Sequence, residues 1–441
     1  MSSPLEILDW LSLAEESRCE ALRRPTQRDA STLLEKARRI VGEVRARGDA
    51  ALCELTAQLD GVRLESFAVG QAEFDAAAAA LTGEQLAALQ RAIGTVTRFH
   101  ETQSLEPVRV QTSHGVTCER LFVALDAVGL YVPAGTAPLP STAIMLAVPA
   151  RLAGCRIRVL CTPPRPDGRA DPAVLTVARL CGIDRVFKLG GAQAVAAMAY
   201  GTATVPKVDK IFGPGNSWVT AAKQIVASDA DGAALDMPAG PSEVLVVADE
   251  TARPGFVAAD LLAQAEHSAD AQVVLVTTSR DLAAACIAEV ERQLAALPRR
   301  SIAARAIAGS RVIVVPDLET ALEVSNRYAP EHLILQVRSP RDWLPSVRHA
   351  GSVFLGSWTP ETMGDYCSGT NHVLPTYGHA RAYSGLGVLD FVKRMTVQEV
   401  TPEGLADLGL TARTLARLES LDAHANAVTV RLDAIARGED R

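Results

Sequence analysis

From Leu121 to Leu355 the chain alternates, with one restart, between short apolar runs of strand type and longer alanine- and leucine-rich stretches of helical period. No other feature restricts the fold as much. Leu121–Val132, Arg156–Cys161, Arg185–Leu189 and Lys207–Phe212 read as strands, with Ser141–Ala153, Asp171–Cys181, Ala192–Tyr200 and Ser217–Ser228 as helices. A second series starts at Glu243. Its strands are Glu243–Val247, Gln272–Thr277, Arg311–Val315, His332–Gln336 and Ser352–Leu355, and its helices fall near 254–267, 279–296 and 317–327. Such alternation specifies an α/β fold with parallel sheets covered by helices. Residues 1 to about 110 read as helical, including Ser31–Gly48, Asp49–Leu59 and Ala72–His100 with a break near Thr82-Gly83. The first α/β series is therefore expected as an insertion between these helices and the second series. Gly356 to about Ala382 reads as a long loop rich in Gly, Pro, Thr and Tyr, a length usually retained for function. Pro402–Gly438 reads as helices with a breaker near Asp422.

Bulk properties exclude several function classes. A length of 441 residues suits two or three domains. A formal charge of -7 and a pI near 5.7, with no strongly basic segment, exclude the footprint of a nucleic-acid binder and give no attraction to an anionic membrane. None of the eight cysteines shows Cys-x-x-Cys spacing, so a zinc ribbon or thioredoxin motif is excluded and reduced thiols in a cytoplasm are expected. Pro4, Glu6 and Asp9 replace the basic start and apolar core of a signal peptide. Ala127–Ala150 carries no charge and is long enough to span a bilayer, but Pro133, Pro138, Pro140 and Pro149 break it into a strand, a loop and a short buried helix.

Four groups of residues offer chemistry. Leu189-Gly-Gly-Ala-Gln193 and Phe212-Gly-Pro-Gly-Asn216 each follow a strand and open a helix, where exposed amides suit phosphate, although neither fits Gly-x-Gly-x-x-Gly and both also read as plain tight connections. Gln264 and His267 are three apart at a helix end and could supply half of a metal shell; a polar helix end is the plainer alternative. Asp365 and His372 on the long loop, or His424 near the C-terminus, could complete that shell, and spacing does not choose among them. Glu331-His332 pairs a carboxylate with an imidazole, suited to general acid–base work. On a regular strand, however, the two would face opposite sides, and a polar strand start is the alternative. Cys118, Cys155 and Cys367 read as small apolar residues rather than nucleophiles.

The segments themselves are more specific than their spacing. Asp236-Met-Pro-Ala-Gly-Pro-Ser-Glu243 followed by Leu261-Leu-Ala-Gln-Ala-Glu-His267 resembles the signature of the histidinol dehydrogenases. Gly129-Leu-Tyr-Val-Pro133, Phe212-Gly-Pro-Gly-Asn-Ser217, Tyr328-Ala-Pro-Glu-His332, Ser368-Gly-Thr-Asn-His-Val-Leu-Pro375 and Lys393-Arg-Met-Thr-Val397 resemble that family in the same order, from about residue 30 onward. The resemblance implies oxidation of L-histidinol through L-histidinaldehyde to L-histidine with two NAD, the last step of histidine biosynthesis. It implies two incomplete Rossmann-like α/β domains with helical N-terminal and C-terminal extensions, in an intertwined homodimer with one Zn2+ per subunit. The zinc ligands would be Gln264, His267, Asp365 and, from the other subunit, His424. Glu331 and His332 match the acid–base pair. Ser242 and Glu419 match substrate-binding positions alongside His332 and the zinc ligands, and Tyr131, Gln193 and Asn216 match NAD contacts. Expected divisions are 1–30 and 381–441 as extensions, 31–128 with 237–380 as one α/β domain, and 129–236 as the inserted one.

On these roles His332 takes the alcohol proton during the first hydride transfer. Glu331 then activates a water against the aldehyde, and His332 helps deprotonate the hydrate before the second transfer. Rival readings are a zinc hydrolase of a small amide, a dehydrogenase of another amino alcohol, and a metal-binding module without catalysis.

Overall fold

The computed structural model describes residues 5–24, 30–103, 105–134, 137–238 and 240–439. Chain contacts divide it into two units, Met1–Thr102 with Leu125–Phe391, and Gln103–Ala124 with Val392–Arg441. In chain order the strands are β1 (Ile7–Asp9), β2 (Val108–Ser113), β3 (Val116–Ala124), β4 (Ala127–Tyr131), β5 (Ile157–Thr162), β6 (Arg185–Lys188), β7 (Lys210–Phe212), β8 (Ala234–Leu235), β9 (Glu243–Ala248), β10 (Gln272–Thr277), β11 (Arg311–Val314), β12 (His332–Gln336), β13 (Ser352–Leu355) and β14 (Val392–Val400).

The larger unit holds two parallel sheets. One runs β6-β5-β4-β7-β8, the other β1-β11-β10-β9-β12-β13. Their strands are continuous apolar runs because both faces are covered. In the six-stranded sheet Val244, Val246, Ala248, Val273, Leu275 and Ile334 pack on one face. Leu245, Val247, Val274, Val276, Leu333 and Leu335 pack on the other, the period-two alternation of a strand read twice. The five-stranded sheet divides the same way, Leu130 and Leu160 against Val159, Cys161 and Ile211. The uncharged run becomes β4 and the helix Pro140–Leu152, buried from Ser141 to Ala150. Among the described residues no helix is long and apolar enough to cross a membrane.

Helices expected from periodicity lie close to their places: Ala30–Arg47, Asp49–Leu59, and a pair Gln71–Ala79 and Gly83–Glu101 separated by a Thr82–Gln85 capping box. Four expectations need correction. The N-terminal part is not all helix, since β1 adds to the edge of the six-stranded sheet beside β11. Three residues are too few to show a period. Leu121–Val132 is two strands in different sheets, broken at Leu125-Asp126. The C-terminal extension opens with β14, which pairs antiparallel with β3 in a three-stranded sheet. Much of β14 is exposed, so no apolar face marks it in the sequence. The long loop contains a helix, Glu361–Tyr366, too short for a hydrophobic stripe.

In the smaller unit the helices Pro402–Leu418 and Asp422–Ala436 are separated by Ser420, whose φ of 58° is left-handed. The break therefore lies before Asp422, and the Asp422 side chain makes no cap. Glu419 and His424 lie on either side of this break, both exposed.

Candidate active site

Polar side chains collect at the amino edge of the six-stranded sheet, where β9 begins with Glu243 and β12 with His332. Gln264 is the last residue but one of its helix. The helix spans Pro254–Ala265, and His267 lies just beyond, its amide bonded to the Gln264 carbonyl at 3.2 Å. From the carboxyl end of β13, the helix Glu361–Tyr366 returns the chain to the same edge. Gly364 lets it lie against Phe354, because a Cβ there would sit 2.5 Å from the ring.

His332 is the centre of the group. Its Nδ1 is 3.1 Å from the Glu243 carbonyl, which fixes that nitrogen as the donor when the ring is neutral. The same nitrogen lies 3.6 Å from Glu331 and 3.8 Å from Glu361. Nε2 is 3.3 Å from Asp365 Oδ1, yet off the line of a hydrogen bond, so this buried nitrogen is left without a partner. Glu331 accepts from the Glu243 amide at 2.8 Å. Glu331 precedes the regular strand, so strand alternation does not separate it from His332. The Gly351 and Ser352 amides hold this corner by donating to the Pro330 and Glu331 carbonyls at 2.9 Å each.

His267, Glu361 and Asp365 each offer one ligand atom, and these atoms lie within 4.8 Å of one another. Gln264 adjoins them, fully buried: its amide nitrogen donates to the Glu361 carboxylate and its oxygen accepts from the Glu243 amide at 3.0 Å. The structure thus unites Gln264, His267, Glu331, His332 and Asp365. Ser242, half-buried, immediately precedes Glu243. Glu361 and Glu243 are the members that the sequence reading lacks. Glu361 stands four residues before Asp365, the spacing of one helical face, and that spacing was the available signal.

Electrostatics follow from burial of like charges. Burial pushes Glu331 up to about 8 and Glu361 well above the usual carboxylate range, each also raised by neighbouring acids. Burial opposes charging of His332, but Glu361, Glu331 and Asp365 together raise it well above an ordinary histidine. Burial would raise Asp365 too, yet His332, His372 and His267 pull it low. Desolvation lowers His267, although its residue surface is open to solvent, and takes His372 to about 4. His372 Nε2 faces the Thr142 hydroxyl at 3.4 Å rather than the metal-type cluster. Burial drives Cys155 up to about 11, so it is no thiolate nucleophile.

Tyr131, Gln193 and Asn216 gather elsewhere, at the carboxyl edge of the five-stranded sheet. The chain passes from β4 to β5 and β6 on one side and to β7 and β8 on the other, making β4 a switch point of the kind that forms ligand crevices. Tyr131 ends β4, and its hydroxyl accepts from the Gly191 amide at 3.0 Å. Gln193 donates to Asp60 at 3.1 Å while its buried oxygen has no partner. Asn216, exposed, caps the helix Ser217–Ala227 by accepting from the Trp218 and Val219 amides. Gly213 has a φ of 118°, and a Cβ there would overlap the Tyr131 carbonyl. Beside it opens a small cleft between Gly213, Gly215, Lys223 and Met237.

The profile described as histidinol dehydrogenase matches residues 22–432. A histidinol dehydrogenase of Xanthomonas campestris pv. campestris (strain 8004) is 58% identical over 97% of this chain and 99% of its own length. One from Vibrio parahaemolyticus is 53% identical over 96% of this chain and 97% of its own. The crystal structure of histidinol dehydrogenase from Elizabethkingia anophelis is 43% identical, with a TM-score of 0.93 over 99% of this chain and 100% of that one. With its parallel sheets and its buried acid–base cluster, the chain belongs to the histidinol dehydrogenase family.

Proposed function

We propose that the chain oxidises L-histidinol through L-histidinaldehyde to L-histidine with two NAD+, as a cytoplasmic homodimer holding one zinc ion per site. The observation that carries the reading is the adjacency of the buried Glu331–His332 pair to His267, Glu361 and Asp365. The donor set fits a dication. The carboxylates of Glu331, Glu361 and Asp365 crowded around His332, two of them with raised pKa, describe a pocket with an excess of acidic groups. Gln264, His267 and Asp365 would hold it, with His424 supplied by a second copy. Bound there, the ion would act as a Lewis acid and anchor for the substrate's imidazole and amine. Glu361 stands beside these ligands as a further carboxylate. Ser242 and, from the second copy, Glu419 would orient the substrate. Exposed Leu408, Leu415, Leu418 and Val430 on the C-terminal helices are consistent with a covered face.

In the first half-reaction His332 accepts the alcohol proton at Nε2 as hydride leaves the carbinol carbon for NAD+; the carboxylates that raise its pKa would be offset by a dication held beside them, which favours the neutral ring this step needs. Its other nitrogen stays bonded to the Glu243 carbonyl. In the second, Glu331 takes a proton from the water that adds to the aldehyde while protonated His332 returns its proton to the carbonyl oxygen, giving the hydrate and a neutral imidazole. His332 then takes a hydroxyl proton as the second hydride leaves. With its pKa pushed up to about 8, the Glu331 carboxylate is a stronger base than an ordinary glutamate once ionised. For NAD+, the glycine turns, the partnerless Gln193 oxygen and Asn216 at a helix start fit a dinucleotide at the switch point. Counting NADH formed per histidinol by zinc-loaded protein tests this. Two per substrate is expected. One would reduce the protein to an alcohol dehydrogenase, and none would refute the reading.

A further inference from the structure

One residue of the N-terminal segment, Arg24, grips two of the elements that aim the acid–base pair. Arg24 is buried to 16% side-chain exposure against Glu243, which is 2% exposed. Its Nε and Nη2 clasp both oxygens of the Glu243 carboxylate, Nη2 at 2.9 Å, the two-pronged geometry in which Arg holds a carboxylate most firmly. The same Nη2 donates to the Tyr328 carbonyl at 2.8 Å and reaches the Ala329 carbonyl at 3.4 Å. Its guanidinium lies 4.0 Å from the Tyr328 ring centre.

Both surfaces it joins lead into the catalytic pair. Through its backbone, Glu243 donates to Glu331 at 2.8 Å and accepts from His332 Nδ1 at 3.1 Å, so one residue sets the orientation of both groups and the tautomer of the imidazole. Tyr328 and Ala329 end the helix Leu318–Tyr328 and are followed at once by Pro330, Glu331 and His332. Ala329 is left-handed at φ 54°, and so is Tyr377 at φ 56°, whose amide donates to Glu243 at 2.9 Å. Non-glycine residues hold that conformation at a cost of about 1–3 kcal/mol each and only where their surroundings enforce it. The Arg24 clasp is placed to enforce it, since it bonds the carbonyl of the first and shares the carboxylate partner of the second.

We propose that Arg24, acting through Glu243, is a positioning residue that aligns Glu331 and His332 for hydride and proton transfer. The N-terminal segment is thus part of the active-site framework. The proposal rests on the dehydrogenase reading. The test therefore starts with wild-type protein, whose production of NADH from histidinol settles that reading alone. Arg24→Ala and Glu243→Gln are then compared with wild type well below their melting temperatures, with zinc content, KM for histidinol and kcat measured together. A misalignment of about 1 Å costs on the order of 10²-fold in rate. We expect kcat to fall by about that factor in both variants, with zinc stoichiometry and KM within about threefold of wild type. In Arg24→Ala, guanidinium ion at millimolar concentration restores part of kcat where equal sodium chloride does not, a rescue that a general loss of stability would not show. Unchanged kcat in a folded Arg24→Ala protein overturns the proposal, as does a loss confined to zinc or KM, or a loss that guanidinium leaves untouched. If Arg24→Ala fails to fold, Arg24→Lys, with a point charge in place of the fork, decides by the same kcat criterion.

Discussion

Replacing Glu361 by Gln tests whether the acidic pocket is a cation site. Ligand atoms of His267, Glu361 and Asp365 lie within 4.8 Å of one another, so a dication held by the other two sits about 5 Å or less from Glu361. At an effective permittivity of about 20, charges of +2 and -1 separated by about 5 Å attract by about 6–7 kcal/mol. That figure is the gross attraction, not the net contribution. Glu361 is fully buried and its pKa is driven up by desolvation, so much of the attraction offsets the carboxylate's own lost hydration. Residues bordering a metal typically contribute 10- to 100-fold in affinity. The upper end is expected here, a loss of about 10²-fold, or about 2.7 kcal/mol. The assay is zinc transfer from a chromophoric chelator of known affinity, with circular dichroism to verify the fold. If Glu361 were only a hydrogen-bond partner of Gln264, a Gln in its place would still bond it and affinity would hold. Zinc binding within about threefold of wild type would therefore refute the cation-site reasoning.

Three further outcomes follow from the geometry. Glu331→Gln keeps an oxygen for the Glu243 amide but cannot accept a proton, so single-turnover aldehyde oxidation falls by about 10²–10⁴-fold while alcohol oxidation falls much less; equal losses would remove Glu331 from water activation. Mixing His424→Ala with Glu331→Gln subunits regains activity, because each hybrid dimer holds one intact site, and no recovery in verified hybrids would exclude donation of His424 across an interface. Burial pushes Asp260 up to about 6, so the fold disfavours its charge: the penalty is absent below about pH 4 and complete above about pH 6. Asp260→Asn retains an acceptor for Gln336, so denaturation midpoints rise by the equivalent of about 3 kcal/mol near pH 8 and do not change near pH 4, whereas the same gain at both would contradict the assignment.

What could be read without coordinates was set by the length of the signal. Strands buried on both faces, such as Glu243–Ala248 and Gln272–Thr277, announce themselves as unbroken apolar runs, and capped helices such as Gly83–Glu101 carry their own boundary. The three-residue β1 and the mostly exposed β14 carry no such mark. The same limit hid two members of the site. Gln264 and His267 stand out beside a recognisable segment, whereas Glu361 lies in a six-residue helix within a Gly- and Thr-rich stretch. Glu243 was quoted only as the end of a motif. Its role is carried by backbone atoms, which no residue type reveals, and by Arg24, which is 219 positions away in sequence.

The placement of the two chemistries on opposite edges of their sheets has an electrostatic reason. In a parallel sheet wound with helices, each helix begins near the carboxyl edge and ends near the amino edge. Helix N-termini carry partial positive charge and C-termini partial negative charge. The carboxyl edge of the five-stranded sheet therefore gathers helix starts at Gly191 and Ser217 beside Gln193 and Asn216, a field suited to a pyrophosphate. The amino edge of the six-stranded sheet gathers helix ends at Ala265 and Tyr328 beside Gln264, Glu331 and Arg24, a field suited to cations. A single sheet edge would have to serve an anionic cofactor and a cationic centre at once. Here β8, in the first sheet, is joined to β9, in the second, by the seven residues 236–242, which span at most about 25 Å. That link, Asp236 to Ser242, lies within the segment that most specifically carries the family resemblance. It ties an edge whose field favours an anion to an edge whose field favours cations, the pairing that the proposed reaction requires.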